Sequence, residues 1–351
     1  MVNHGHPATS PKVRLWRYLP ILIIVGLAVH LLVPQIAALE SSWSVVKGLT
    51  WWAVFLTMIA QTLSYLGSGF MLHTILSNNE QRLSIQRGAL ITMASYSIGL
   101  VAGGWVGGAA ATYNWVHRES QDKDTAILAG TLPALLNNVV LVGVAIIGTA
   151  YLLLLHDLSK TQLIEFSVIV LLLGLMTGCV VIALRFPKPT TRFILWLASL
   201  WTTLLHKPYE PKNIVASVHN FILAWNSLQN GKWVRPVLGA IANTSFDILT
   251  LFFMFIAAGY NVSPGILLAG YGLPFILGKM AFLFPGGVGV VEGSMVALYE
   301  SLKVPNEVSV VVILGYRLIS FWLPTLLGFA AAAFLSSRSF ETKRGTNDST
   351  R

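Results

Sequence analysis

Apolar residues gather along the chain in blocks of roughly twenty, and the short polar stretches between them hold most of the cations. The blocks fall at 18–33, 49–76, 89–112, 126–155, 162–184, 236–258, 264–283, 286–298 and 308–335. About twenty apolar residues rise about 30 Å as an α-helix, the thickness of a bilayer's hydrocarbon core. The pattern therefore predicts an all-α polytopic membrane protein with about eight transmembrane helices. Composition agrees: of 351 residues, 55% are hydrophobic and 11% charged, against ~25% charged in a soluble domain. A soluble enzyme, a nucleic-acid-binding protein and a disordered chain are excluded, because a water-soluble fold cannot bury so much apolar surface.

The charges set an orientation. With the N-terminus inside, the loops 1–17, 77–88, 114–125, 185–235 and 336–351 carry eighteen of the 23 Lys and Arg. The opposite loops carry only Lys47, Lys160 and Lys303. Cytoplasmic loops are the cation-rich ones, so both termini are expected in the cytoplasm of a bacterial-type cell with the chain in the inner membrane. Cations then flank the block 89–112 on one side of the membrane, yet two crossings need about 40 residues. The block is expected to dip in and return as a re-entrant hairpin, broken at Gly103, Gly104, Gly107 and Gly108. The stretch 264–302 does the same from the other side, broken at Pro285, Gly286, Gly287 and Gly289. Each half thus reads as helix, Gly-broken hairpin, helix, in opposite orientations. That is the inverted-repeat plan of secondary transporters.

The expected organisation is a basic cytoplasmic tail at 1–17, one transmembrane domain at 18–335 and a disordered basic tail at 336–351. The halves lie at about 49–155 and 236–335, and the loop 185–235 holds interfacial helices at 193–205 and 213–228. The first block reads as a retained helix rather than a cleaved signal. Phosphate-loop, nucleophile-elbow and H-E-x-x-H signatures do not occur, and no metal or cofactor is expected.

Charges at bilayer depth cost about 2.5–3.5 kcal/mol each on insertion scales, which makes them functional candidates. Four stand out: Asp247, Lys279, Glu292 and Arg317. Glu292 follows the glycine break and Arg317 follows Tyr316 in the last long block. Paired, they form either a polar centre for a headgroup or a structural clasp. Asn243 and Asp247, four apart, share one helix face and either line a pathway or bond a neighbouring helix. Lys279 either meets a lipid phosphate or snorkels. Asn137 and Asn138, after Pro133, read as structural.

Two motifs carry a resemblance. Phe284-Pro285-Gly286-Gly287-Val288-Gly289-Val290-Val291-Glu292-Gly293 and Leu314-Gly315-Tyr316-Arg317-Leu318-Ile319-Ser320-Phe321-Trp322 resemble the transmembrane region of lysylphosphatidylglycerol synthases. The likeness spans about residues 15 to 335. It implies a flippase-like domain of inverted halves, with Pro285, Gly286, Gly287, Gly289, Glu292, Tyr316 and Arg317 in matching positions. Many members carry charges after the first break, whereas 103–113 here carries none. The aminoacyl-transferase domain of larger members is not expected in this chain, so aminoacyl transfer is not inherited.

The sequence thus points to translocation or binding of a phospholipid or lipid-linked molecule between leaflets. The rivals are an integral lipid-modifying enzyme and a non-transporting scaffold for an envelope or glycan enzyme. Expected partners are anionic or zwitterionic phospholipids or a lipid-linked glycan, with room for a homo-oligomer or an envelope-enzyme partner and none for nucleic acid.

Overall fold

The computed structural model describes residues 43–155, 231–280 and 285–348, with isolated helical positions between 160 and 196. The blocks at 18–33 and 162–184, the loop helices at 193–205 and 213–228, and the N-terminal tail lie largely or wholly outside the described residues. Within them the chain is all helix and turn. In chain order the helices are α1 (Trp43–Lys47), α2 (Trp51–Ser77), α3 (Ile85–Val101), α4 (Trp105–Ser120), α5 (Lys123–Leu155), α6 (Val234–Ala257), α7 (Pro264–Met280), α8 (Val290–Ser301), α9 (Asn306–Arg317) and α10 (Leu323–Asp348). Four described stretches are long and apolar enough to span a bilayer: α2, Lys123–Leu154 of α5, α6 and Asn306–Ser336. The protein is an integral, multi-pass membrane protein.

The first hairpin is longer than its apolar block. Its arms are α3 and α4, of 17 and 16 residues, because the polar ends that hydropathy excluded are helical too. Ser84 caps α3 through Arg87 N–H, and Arg87 Nε meets Glu119 Oε1 at 2.6 Å across the base. Each arm rises about 25 Å, short of a full crossing. The turn needs Gly103 and Gly104, whose φ angles are +90° and +68°, a region closed to most other residues. Asp122 then starts α5, accepting backbone N–H groups of Asp124 and Thr125. The Thr125 hydroxyl and those N–H groups hold its carboxyl below its usual range.

The last block is one continuous helical span, Asn306–Ser336. Between α9 and α10 the segment Leu318–Trp322 widens into a π-helical turn. Pro324 follows at once, and its missing N–H leaves carbonyls one turn back without their usual donor. Beyond the apolar block the backbone stays helical to Asp348, through residues expected as a disordered tail.

The helices pair across the two halves. The most extensive contact among described helices joins α2 to α6, and the next joins α5 to α7 and α10 to α3. The long closing helix of each half thus lies on the opening hairpin helix of the other. Each pair is antiparallel. Thr50 N–H bonds Ala257 O at one end of α2 and α6, and Asn78 bonds Lys232 O at the other. Ser97 Oγ meets Thr325 O between α3 and α10. This exchange is what an inverted repeat produces.

Small residues bring these backbones together, as helix association in lipid requires. A Cβ at Gly67 would lie 2.6 Å from Asn243 N, and one at Gly239 2.7 Å from Met71 Cα. Gly148 and Gly272 play the same part between α5 and α7. Gly143 of α5, by contrast, faces open space. Gly67→Ala is therefore expected to destabilise the fold by about 1–3 kcal/mol through overpacking. Gly143→Ala should leave stability unchanged or raise it by up to ~1 kcal/mol through helix propensity. Thermal unfolding of both variants in detergent measures the contrast, and equal melting temperatures would refute the tight α2–α6 crossing.

Candidate functional site

The break after α7 places the first group of candidate residues. Gly286, Gly287 and Gly289 all have φ between +65° and +83°, so the chain reverses and restarts as α8 at Val290. Glu292, in the first turn, folds back and accepts the Gly289 N–H on Oε2 at 2.7 Å. Its Oε1 accepts Arg317 Nε at 2.6 Å. Arg317 also donates to Gly286 O at 3.4 Å, and its guanidinium carbon sits 4.1 Å from the centre of the Phe321 ring. The Glu292 and Arg317 side chains are 5% and 4% exposed. A Cβ at Gly286 would stand 2.7 Å from Phe321 and 2.9 Å from Leu100, so the pair is closed over by neighbours. It ties the glycine break to the end of α9, and both partners are satisfied.

Asp247 forms the second group, on α6. Its Oδ2 accepts the hydroxyls of Tyr271, from α7, at 2.7 Å and Tyr316, from α9, at 2.9 Å. The two rings flank Phe275, with centroids 4.8 and 6.4 Å away. Gln61 and Tyr65 of α2 and Tyr96 of α3 lie within its electrostatic reach. Hydrogen bonds thus bring three elements, α6, α7 and α9, together on one carboxylate. Tyr271 and Tyr316 are buried, but Asp247 is only half-buried and Tyr96 is 53% exposed. Among the described residues no cation forms an ion pair with Asp247.

The remaining candidates separate. Asn243 shares the α6 face with Asp247 but turns to α2, where its amide donates to Ser64 O and Oγ at 3.0 and 2.9 Å. It is a link in the α2–α6 crossing. Lys279, exposed near the end of α7, donates to Asn138 Oδ1 of α5 and meets neither Glu292 nor Arg317. Gly107 packs against Ala102 O and Gly108 against Ser95 O, closing the first hairpin without charge. Sequence reasoning missed Tyr271, Gln61, Tyr65 and Tyr96. Three are tyrosines inside apolar runs, and polar tips at bilayer depth were the available signal.

The model of the lysylphosphatidylglycerol synthase transmembrane region matches residues 19–328. The chain belongs to this family. The match takes in both motifs of the earlier resemblance and every residue of the two groups above. Among curated relatives, a UPF0104 membrane protein of Methanocaldococcus jannaschii is 28% identical over 140 residues, 39% of this chain and 41% of that protein. A UPF0104 membrane protein of Pyrococcus horikoshii is 37% identical over 83 residues, 23% of this chain and 24% of that protein. One of Methanothermobacter thermautotrophicus is 32% identical over 91 residues, 26% and 27% of the two chains. The matched stretches thus span less than half of these relatives.

Within the family fold the Glu292–Arg317 pair has a checkable energetic role. Removing one partner of a buried pair leaves the other uncompensated, at a cost of about 3–5 kcal/mol. Glu292→Gln or Arg317→Gln alone should therefore lower the thermal stability of the detergent-purified protein sharply. The double change Glu292→Gln with Arg317→Met should recover part of the loss. A double variant less stable than both singles would refute the clasp.

Proposed function

We propose that the protein binds the headgroup of a phospholipid or lipid-linked molecule at the Asp247 cluster and carries it between leaflets. The observation that carries this reading is the half-buried Asp247 in the middle of α6. It is ligated by two tyrosines from different segments, lacks a described cation partner, and sits where both halves meet. An ionisable side chain within a membrane-spanning helix is characteristic of a substrate or ion pathway. The inverted pairing of the halves supports alternating exposure of that site, the arrangement common to secondary transporters. The family's name, from a synthase of a phospholipid, supports a lipid as the cargo. Glu292 and Arg317 then serve as the fixed frame of the second hairpin rather than as headgroup ligands. Lys279 and Asn138 offer a cation and an amide to a phosphate. The charge bias of the loops supports a cell-membrane orientation with the cation-rich side facing the cytoplasm.

Lipid scrambling in reconstituted vesicles tests the proposal. Fluorescent phospholipids with several headgroups and a lipid-linked sugar are bleached from outside. The wild type should allow bleaching beyond about half for at least one cargo, since more than the outer leaflet becomes accessible. Asp247→Asn, which keeps an acceptor oxygen but removes the charge, should slow that cargo about tenfold. A plateau at half for every cargo, or an Asp247→Asn rate equal to wild type, would overturn the reading.

A further inference from the structure

The surroundings of Asp247 are short of hydrogen-bond donors. Both hydroxyls that reach the carboxylate, Tyr271 at 2.7 Å and Tyr316 at 2.9 Å, fall on Oδ2, so Oδ1 is the oxygen left for a further partner. Gln61 of α2 stands beside the carboxyl. It is 6% exposed, and among the described residues its Oε1 has no hydrogen-bond partner. Asn137 Oδ1 of α5 is in the same state, next to Tyr96. A buried carbonyl oxygen without a donor is uncommon and costly. Here one stands beside a carboxylate whose charge no described cation pairs.

A single proton answers both deficits. On Oδ1 it cancels the charge of Asp247 and turns that oxygen from acceptor to donor, with Gln61 Oε1 as its acceptor. Oδ2 keeps both tyrosines. A proton needs only that one acceptor, whereas a hard metal cation asks for about six oxygens. The other ionisable groups facing Asp247 are Tyr65 of α2, Tyr96 of α3, Tyr271 of α7, and Tyr316 and Arg317 of α9. Helix α6 carries no other within two turns of Asp247. In water phenols hold their protons to about pH 10 and guanidinium to beyond about pH 12, and Arg317 is committed to Glu292. Asp247 is thus the group in the cluster whose proton comes and goes.

We infer that Asp247 and Gln61 form a proton site, and that this proton and the cation of a headgroup are alternative occupants of it. The exchange rests on the carrier reading above, whereas the proton site rests on these residues alone. When a headgroup ammonium arrives, the Oδ1–H bond gives its proton to water and the carboxylate takes the ammonium in its place. When the headgroup leaves on the opposite side, a hydronium returns a proton to Oδ1 and departs as water. The site is then neutral in both directions of crossing, which avoids the cost of a bare charge in hydrocarbon. One proton moves against each headgroup, so a pH gradient drives the lipid.

Infrared titration of the full-length protein in detergent tests the proton site. The spectrum of wild type minus Asp247→Asn should contain the carbonyl band of a protonated carboxyl at low pH, fading as pH rises. Gln61→Leu should move that band to higher frequency, because the carboxyl hydroxyl has lost its acceptor. A difference spectrum without a titrating band, or a band that Gln61→Leu leaves in place, would overturn the site. Vesicles reconstituted with acyl-labelled phosphatidylethanolamine test the exchange. They are bleached from outside at one external pH, with the interior one unit more alkaline or more acidic. Protons entering an alkaline interior should draw the lipid outward, so inner-leaflet label should bleach about fivefold faster than with an acidic interior. Asp247→Asn should make the two rates equal. Equal rates in wild type would overturn the exchange and leave the carrier reading standing. Label that stays in the inner leaflet under both gradients would overturn the carrier reading and the exchange together, and the infrared band then decides the proton site alone.

Discussion

A helix broken in the middle of a bilayer has backbone groups with no water to receive them, and each orphan costs several kcal/mol. The stretch Pro285–Gly287 and the residues after it face this constraint, and the rest of the second half is arranged around it. One carboxylate and one guanidinium answer it together. Glu292 takes the Gly289 N–H with one oxygen and Arg317 with the other, and Arg317 reaches the Gly286 carbonyl. The ion pair is thus also the hydrogen-bonding partner of a broken chain. That explains why two charges are tolerated at 5% and 4% exposure. Their desolvation is offset by mutual attraction and by backbone groups that need them.

The same constraint is met differently in the first half, and the difference accounts for the absence of charge there. The turn at Gly103 and Gly104 is closed by backbone alone, with Gly104 N–H on Gly99 O at 2.7 Å. Farther along, the Thr112 hydroxyl donates to Ser95 at 2.7 Å. The tip is exposed and its glycines touch nothing. The second break instead packs against Phe321 and Leu100. An interior break needs side-chain donors and acceptors, whereas a protruding one can satisfy itself. The two halves share a plan and differ in how deeply each hairpin is enclosed.

Much of this plan was legible in the sequence. Loop charges forced 89–112 to return to its own side, and the hairpin is there, longer because Arg87, Arg118 and Glu119 sit on its helices. The Glu292–Arg317 pairing followed from two charges at bilayer depth that had to find partners. Three things were not legible. The π turn at Leu318–Trp322 depends on Pro324 and on packing against the break, and hydropathy is blind to both. The Asp247 cluster is built mainly from tyrosines, which a charge scan passes over. The separation of Asn243 from Asp247 depends on where Ser64 falls on α2, a distance of 179 residues along the chain. Helical spacing puts both on one face but does not say which neighbour each one meets.

Asp247 is the residue on which the proposed function turns. Glu292 joins its elements through a cation, whereas no described cation forms an ion pair with Asp247. Instead its described donors are neutral, the hydroxyls of Tyr271 and Tyr316. Neutral donors orient a carboxylate but leave its charge in place, and a net charge in hydrocarbon is costly. Such a group is stable where it borders a polar space. It is most stable when a positive group arrives or a proton binds. In the proposed function the ammonium of a headgroup supplies that charge on one side while Lys279 awaits a phosphate on the other. The occupied site would then be electrically closer to neutral than the empty one. A cargo that cancels the site's charge lowers the cost of moving through the bilayer, and this is what a leaflet-to-leaflet carrier of polar headgroups has to achieve.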